Sequence, residues 1–426
     1  MTNNQRQTTN NKQQTTNNKH HFYLIFPNIF GFKGGVQVYS AFLLQALQQL
    51  YPEANYDVFL KYDKLTHLRS QFLPQTNFHC LGKLPQLLQS LLLTCQLISR
   101  GIRQQPTLII TTHVNYSIPC YWLQRIAGVP YWVIVHGLEA WNLQQPLLQT
   151  ALGHADQVIA VSNYTRDRLL KEQQLNPAKV SVLPNTFVAT QFQPKPKPDY
   201  LLQRYGLTPE QPIIFTVARL AQYKGYEQVL HALGEVRRHL PKVHYILAGK
   251  GNYPWIKSVV EKLNLQDCVT LAGFIPDEEL GDHYNLCDVF AMPSQGEGFG
   301  IVYLEALACG KPVLAGNQDG AVDPLLQGKL GCLVDPTDIK AIARNLIQIL
   351  QGTHPNPLLF QPKILRQQTI AKFEFTQFRQ TLAQLIQQQL IHSFQDSIQG
   401  LDMNSDDSAD DTAVGWCNQG QSSTII

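Results

Sequence analysis

A chain of 426 residues is too long for one ordinary domain and sufficient for two, each able to bury its own core. With 44% hydrophobic and 15% charged residues it has the composition of a globular protein. A net charge of +3 is too small for an electrostatic nucleic-acid binder.

Residues 1–19 are almost wholly Asn, Gln and Thr, with the hexamer QTTNNK starting at Gln7 and again at Gln14. Nothing there can be buried, so the segment is expected to be disordered. A first buried strand is predicted over 22–27 and an amphipathic helix over 36–50, joined by a turn that contains Gly31, Gly34 and Gly35. Open α/β sheets bind ligands at such strand ends, although a plain strand-to-helix turn has the same composition. Further strands are predicted over 56–60, 78–81, 107–111, 131–136, 158–161 and 180–183, with helical intervals suited to right-handed crossovers. Among them, Leu84, Leu87, Leu88, Leu91, Leu92, Cys95, Ile98 and Ile102 recur at helical spacing, flanked by Lys83, Arg100 and Arg103. The first expectation is that this stripe packs on the sheet. A membrane-docking face is the second, because basic amphipathic helices serve either role. His136-Gly137 ends the run YWVIV, where an imidazole can serve structure or bond a ligand hydroxyl. Ser162 or Asn163 is placed to cap the next helix.

The string FQPKPKP at 192–198 alternates proline with lysine and is read as a linker. A second series then begins. A strand over 213–217 leads to Arg219, and Lys224-Gly225 opens a helix running to about residue 240. Cations at a helix N-terminus oppose the macrodipole, so their position asks for an anion, although a solvated pair has the same spacing. Arg offers a planar fork and Lys a point charge, together fitted to a diphosphate. A strand over 244–247 runs into Gly249 and Gly251, and one over 269–272 into Phe274. The next, over 289–292, enters PSQGEGFGIVYLEALACGKPVLA at 293–315. There a small-residue loop precedes a helix over 301–309, with Gly310 as its left-handed stop and a buried strand over 312–315. Gly298 and Gly300 admit bare backbone to a ligand, and the helix start offers unpaired N–H groups to an anion. Glu297 and Glu305 stand eight residues apart and cannot stack on one helix face. They are read as separate hydroxyl acceptors with a phosphate between them, not as a metal pair. A last strand is expected over 331–334, with Thr337 capping the following helix. A Gln-rich amphipathic helix occupies 373–395, and the acidic segment 396–426 is expected to be disordered. The eight cysteines show no CxxC pair or metal spacing and are read as core residues of a reducing compartment. No apolar run spans a bilayer and no signal core precedes residue 20, so a cytoplasmic protein, or one peripheral on the inner face of a membrane, is expected.

The string at 293–315 resembles the Glu-x7-Glu signature of retaining glycosyltransferases of family 4, which have the GT-B fold. The resemblance extends over about 20–394 and is strongest over 218–338. It implies an α/β protein of two doubly wound, Rossmann-like domains facing a central cleft. The acceptor domain would be 20–191, the linker 192–199 and the donor domain 200–372, with the helix at 373–395 returning to the first domain. The donor site it implies comprises Gly34, Gly35, Arg219, Lys224, Gly249, Gly251, Phe274, Glu297, Gly298, Phe299, Gly300 and Glu305. In that reading Arg219 and Lys224 stabilise the departing diphosphate, Glu297 holds sugar hydroxyls and Glu305 the ribose. Gly249, Gly251 and Phe274 lie near the base, and His136 reaches the sugar from the opposite domain. Where the family has Gly-Gly-x-x-Glu, this chain has Asp319-Gly320 and Asp323, and Asn185-Thr186 stands where Asn-Gly is usual.

The activity implied is hexosyl transfer from a nucleoside-diphosphate sugar to a glycan, lipid-linked or metabolite hydroxyl. Configuration would be retained on the front face, with the leaving phosphate taking the acceptor's proton. No metal or other cofactor is expected, since no Asp-x-Asp lies near a strand end, and no nucleic-acid partner. Two carboxylates also fit a glycosidase, but cationic leaving-group ligands argue against one. A sugar-nucleotide epimerase of the same fold would need its own acid/base set, and a silent, donor-binding partner subunit would keep the same side chains.

Overall fold

The computed structural model describes residues 20–31, 34–68 and 72–403, with side chains of the last helix followed to residue 389. The polar segment 1–19 and residues 404–426 of the acidic tail lie outside the described residues. Strands and helices alternate in two series. The first comprises β1 (His21–Phe26), α1 (Gly35–Leu50), β2 (Asn55–Leu60), β3 (Thr76–Cys80), α2 (Gln86–Gln104), β4 (Leu108–Thr111), α3 (Ser117–Ala127), β5 (Tyr131–Val135), α4 (Pro146–Gly153), β6 (Gln157–Ala160), α5 (Asn163–Gln173) and β7 (Val180–Val182). The second opens with α6 (Asp199–Tyr205), β8 (Ile213–Val217), α7 (Tyr226–His239), β9 (His244–Ala248), α8 (Tyr253–Lys262) and β10 (Val269–Gly273). It continues through α9 (Asp277–Leu286), β11 (Val289–Met292), α10 (Ile301–Ala308), β12 (Val313–Gly316), β13 (Cys332–Val334), α11 (Ile339–Leu350), α12 (Pro362–Phe373) and α13 (Phe375–Met403).

Each series forms one parallel sheet, in the orders β3-β2-β1-β4-β5-β6-β7 and β10-β9-β8-β11-β12-β13. Phe22 of β1 stands opposite Leu108 of β4, and Phe290 of β11 opposite Phe215 of β8. Both orders reverse beside the first strand of the series. Doubly wound sheets open their ligand crevice at that switch, beyond the strands' C-terminal ends. Helices cover the faces of these sheets, so the strands read as continuous apolar runs and not as alternation. YWVIV in β5 and VFAM in β11 are buried throughout. In the second domain α11 turns Ile342, Leu346 and Ile349 into the core shared with Val229, Leu233 and Val236 of α7. Each such side chain contributes about 1.5–3 kcal/mol when fully buried.

Several expectations are corrected. The α2 stripe does not pack on the sheet: Leu87, Leu88, Leu91, Leu92 and Ile102 are exposed, whereas Gln89, Leu93, Leu97 and Gly101 are buried. The cause is Gly101, where a Cβ would stand 2.2 Å from Leu123 Cδ2. That gap seats α3 against the 93–97–101 ridge and rotates the leucines outward. The linker is pinned: Phe192 is buried, Asn285 Oδ1 accepts the Lys195 N–H at 2.9 Å, and Lys197 pairs with Asp288 at 2.8 Å. Asp338, not Thr337, caps α11, accepting the Ala341 N–H at 2.9 Å, and a carboxylate complements the helix dipole better than a hydroxyl.

The terminal Gln-rich helix is interrupted by the extended residue Glu374. The first turn of α13 then lies on α1, with Phe378 edge-on to Tyr39 at 5.4 Å and Arg379 donating to Gln49 at 2.6 Å. The helix continues to Met403, past residue 396 where the polar tail is expected to start, because Ile391, Phe394, Ile398 and Leu401 keep helical spacing in the sequence. Contacts separate a unit ending at Arg379, which carries both sheets, from one beginning at Gln380. Among the described residues, no helix is long and apolar enough to cross a membrane.

Candidate functional site

Arg219 and Lys224 both follow the C-terminal end of β8, Lys224 in a short 3₁₀ turn over 222–224. Lys224 Nζ pairs with the Glu297 carboxylate from the loop after β11, and the two side chains are only 14% and 16% exposed. Burial opposes the Lys224 charge, but the charge and hydrogen bond of Glu297 together with Tyr223 and Asp319 outweigh it and hold the pKa above the usual lysine value. Lys224 is a cation at neutral pH. Tyr223, a residue that no sequence pattern singled out, joins both cations. Its hydroxyl accepts from Arg219 Nη2 at 2.6 Å, and its ring centre lies 5.2 Å from Lys224 Nζ. Arg219 is exposed, so its fork is accessible to an anion.

Asp319, fully buried after β12, holds the loop over 293–300. Its Oδ2 accepts the Ser294 hydroxyl at 2.7 Å and the Glu297 N–H at 2.8 Å, while Oδ1 accepts the Ala321 N–H at 3.0 Å. Burial pushes the Asp319 carboxyl up to about 6, against the pull of these donors. The departure from Gly-Gly at 319–320 therefore supplies the group that fixes Glu297. The loop ends at Gly300, from which α10 starts without a side-chain cap, leaving its first N–H groups to a ligand. The Phe299 ring turns away, buried against Phe373, so only its backbone belongs to this loop's exposed edge. Glu305 is buried one turn inside α10 and accepts the Tyr284 hydroxyl at 2.7 Å. Burial and the Glu305 charge raise the Tyr284 pKa and keep it a donor. The two glutamates thus have separate partners.

Beyond β9, a Cβ on Gly249 would stand 1.7 Å from the Ala218 carbonyl oxygen, so this glycine is required by the pairing of the two loops themselves. Leu220 donates to the Lys250 carbonyl at 2.8 Å there, and Gly251 ends the exposed turn. Phe274 is 58% exposed, with Lys250 Nζ 4.5 Å from its ring centre. An apolar face beside a cation suits a planar, electron-rich ligand.

On the opposite domain, Gly34 is the N-cap of α1 without a side-chain cap, and Gly35 is exposed. The turn before them hangs on Asp63, whose buried carboxylate accepts the N–H groups of Ile29, Phe30 and Gly31 at 2.6, 3.0 and 2.6 Å. His136 follows β5, and its N–H donates to the Glu139 carboxylate. Burial, with the field of His113, lowers the His136 pKa to about 3, so its imidazole is neutral. Its Nε2 is buried with no partner among the described residues, as are Trp141 Nε1 and Asn185 Oδ1. Orphaned buried polar atoms at a cleft call for a ligand or water.

The domains meet at Gly298, where a Cβ would lie 1.6 Å from the His136 carbonyl oxygen. Any side chain there would push the two loops apart. Asp323 ties the domains together, accepting the Tyr164 N–H at 3.0 Å and Asn163 Nδ2 at 3.1 Å. A carboxylate thus sits at the N-terminus of α5, which Ser162 caps from within. The whole arrangement offers cations and bare helix starts to an anion, and buried carboxylates to hydroxyls. Among the described residues, no group of three His, Cys, Asp or Glu side chains is placed to hold a metal ion.

The family described as Glycosyl transferases group 1 matches residues 201–359, and Glycosyltransferase Family 4 matches residues 33–189. Over 220 residues the chain is 38% identical to the GDP-mannose-dependent alpha-(1-6)-phosphatidylinositol monomannoside mannosyltransferase of Mycolicibacterium smegmatis. That alignment covers 49% of this chain and 57% of the mannosyltransferase, little more than half its length. The alpha-maltose-1-phosphate synthase of the same organism is 30% identical over 274 residues, 58% of this chain and 70% of its own. Among solved structures, sucrose-phosphate synthase from Thermosynechococcus elongatus superposes with a TM-score of 0.75 at 21% identity, covering 88% of this chain and 100% of that one. Anabaena HepE, solved with UDP and glucose, gives 0.71 at 20% identity over 87% and 100% of the two chains. At such identities the structural likeness is one of fold, two Rossmann-like domains of the GT-B type.

Proposed function

The chain belongs to glycosyltransferase family 4, and we propose that it moves a hexosyl group from a nucleoside-diphosphate sugar to a hydroxyl acceptor with retention of configuration. One observation carries the reading: two cations, Arg219 and Lys224, held by Tyr223 beside the Glu297 loop and the uncapped start of α10. The donor diphosphate takes Lys224 from Glu297 and engages the Arg219 fork, helped by amides over 298–300 and at Gly34-Gly35. Glu297, released, holds sugar hydroxyls. Glu305, oriented by Tyr284, holds the ribose, while the base lies on Phe274 beside Gly249 and Gly251. His136 offers its neutral Nε2 to the sugar. The acceptor oxygen then attacks the anomeric carbon as the bond to phosphate breaks. Its proton passes to the departing phosphate oxygen, giving a glycoside and a nucleoside diphosphate.

The mannosyltransferase relative is named for GDP-mannose and HepE was solved with UDP, so GDP-mannose and UDP-glucose are the first donors to supply. The acceptor is a glycan, lipid-linked or metabolite hydroxyl. Metal independence is part of the proposal, so excess EDTA should leave turnover unchanged. The test is proton NMR of the anomeric centre in product formed from donor and an acceptor panel. A product with the donor's anomeric configuration supports the reading. An inverted product refutes the retaining mechanism, and donor binding without turnover against any acceptor favours a silent subunit.

A further inference from the structure

The helix α2 carries a surface that the transfer reaction does not use. Leu87, Leu88, Leu91 and Leu92 are exposed on two successive turns, Leu87 by 89%, although leucine exposed in such a row is unusual for a soluble surface. Beside it α3, seated through Leu123 on Gly101, exposes Trp122 and Ile126 one turn apart. The loop after β2 adds Tyr62 and Leu65, and is joined to the start of α2 by the Gly82 N–H, which donates to the Asp63 carbonyl at 2.9 Å.

The charge of this region is one-sided. Residues 58–138 contain a single acidic residue, Asp63, which is fully buried and occupied by the backbone of 29–31. The same stretch carries Lys61, Lys64, Lys83, Arg100, Arg103 and Arg125 among its described residues. A net charge of only +3 for the whole chain shows how uneven this placement is. Exposed leucines and a tryptophan, in a stretch whose charges apart from the buried Asp63 are all lysine and arginine, match an anionic interface with an apolar interior.

We propose that α2, α3 and the loop after β2 dock peripherally on an anionic lipid bilayer. The leucines and Trp122 enter the headgroup–acyl boundary, and the lysines and arginines sit among lipid phosphates. The patch is tied to the turn after β1, because Asp63, between Tyr62 and Leu65 in the sequence, holds the backbone of residues 29–31 with its carboxylate. A bilayer there would present a lipid-borne acceptor to the first domain. Binding to the bilayer needs neither donor nor acceptor, so this proposal and the transfer reading stand or fall separately.

The test is co-sedimentation of the full chain with vesicles of phosphatidylcholine alone or mixed with phosphatidylglycerol. The wild type should partition onto the anionic vesicles, less onto neutral ones, and less as salt rises. Leu88→Glu/Leu91→Glu should lower partition about tenfold or more, with an unchanged melting temperature because both residues are exposed. Arg100→Gln/Arg103→Gln should lower it about thirtyfold on anionic vesicles only. Failure of the wild type to bind anionic vesicles at low salt, or equal binding by the leucine variant, would overturn the proposal. A concentration-dependent dimer lost in the leucine variant, without vesicle binding, would overturn it in favour of a second copy as the occupant.

Discussion

Replacing Gly35 with alanine separates a ligand site from an ordinary turn. A Cβ at Gly35 meets no protein atom within 4 Å, and the residue is the exposed first position of α1. The empty protein has no steric objection to the methyl group, and reduced freedom of the unfolded chain should stabilise it by about 0.4–1 kcal/mol. A diphosphate seated on the start of α1 would meet that methyl directly. Overpacking by one carbon costs about 1–3 kcal/mol, which is about 5- to 150-fold in affinity. Calorimetry with the donor and initial transfer rates should both fall in that range, while a thermal scan of the free protein shows a midpoint equal or higher. Wild-type affinity and rate in the variant would show that no diphosphate sits there and leave Gly34-Gly35 a plain strand-to-helix connection. Gly298→Ala is the contrasting case. Its Cβ would lie 1.6 Å from a carbonyl oxygen, so it should lose stability before any ligand is added.

Lys224→Ala leaves Glu297 without its cation in a nearly buried loop, and should lower kcat/KM about 10- to 100-fold; steady-state rates unaffected by the change would remove Lys224 from the proposed site. Asp319 gives a pH signature. Its folded pKa of about 6 is raised above the usual carboxylate value, so its stabilising effect is complete below about pH 4 and lost as pH rises through about 6. Between those limits the wild type should lose about 2–3 kcal/mol that Asp319→Asn does not, read from urea melts at both pH values; parallel curves would show that this carboxyl titrates normally. Asp323→Ala removes two bonds across the domain boundary at the start of α5 and should cost about 1–2 kcal/mol. A thermal midpoint and a scattering radius both equal to wild type would show that this tie carries no weight.

The doubly wound sheets were readable because buried parallel strands leave continuous apolar runs, as at Tyr131–Val135, and because turn glycines mark their ends. Local signals of that kind also located Arg219, Lys224 and Glu297. What the sequence could not show depends on residues far apart in the chain. Asp319 serves Glu297 from 22 residues away, and Asp63 serves the Ile29 turn from 34 residues away. Neither spacing belongs to any helical or strand period. Tyr223 stood between the two cations, and an aromatic adjoining paired charges was the one signal that could have marked it. The face that α2 buries was misjudged for a similar reason. Eight apolar residues defined a stripe, but a single glycine, Gly101, decided which ridge the next helix would cover. Phe299 shows the limit of motif reasoning, since it lies within the Gly-rich string yet its ring belongs to the core.

Calorimetric titration with UDP, GDP and ADP decides whether Arg219 and Lys224 receive the diphosphate of a sugar nucleotide. One of them should bind saturably at one site, more strongly in its sugar form and at least about tenfold more weakly in Arg219→Ala and in Lys224→Ala. Absence of binding to all three, or an affinity that both substitutions leave unchanged, would contradict it.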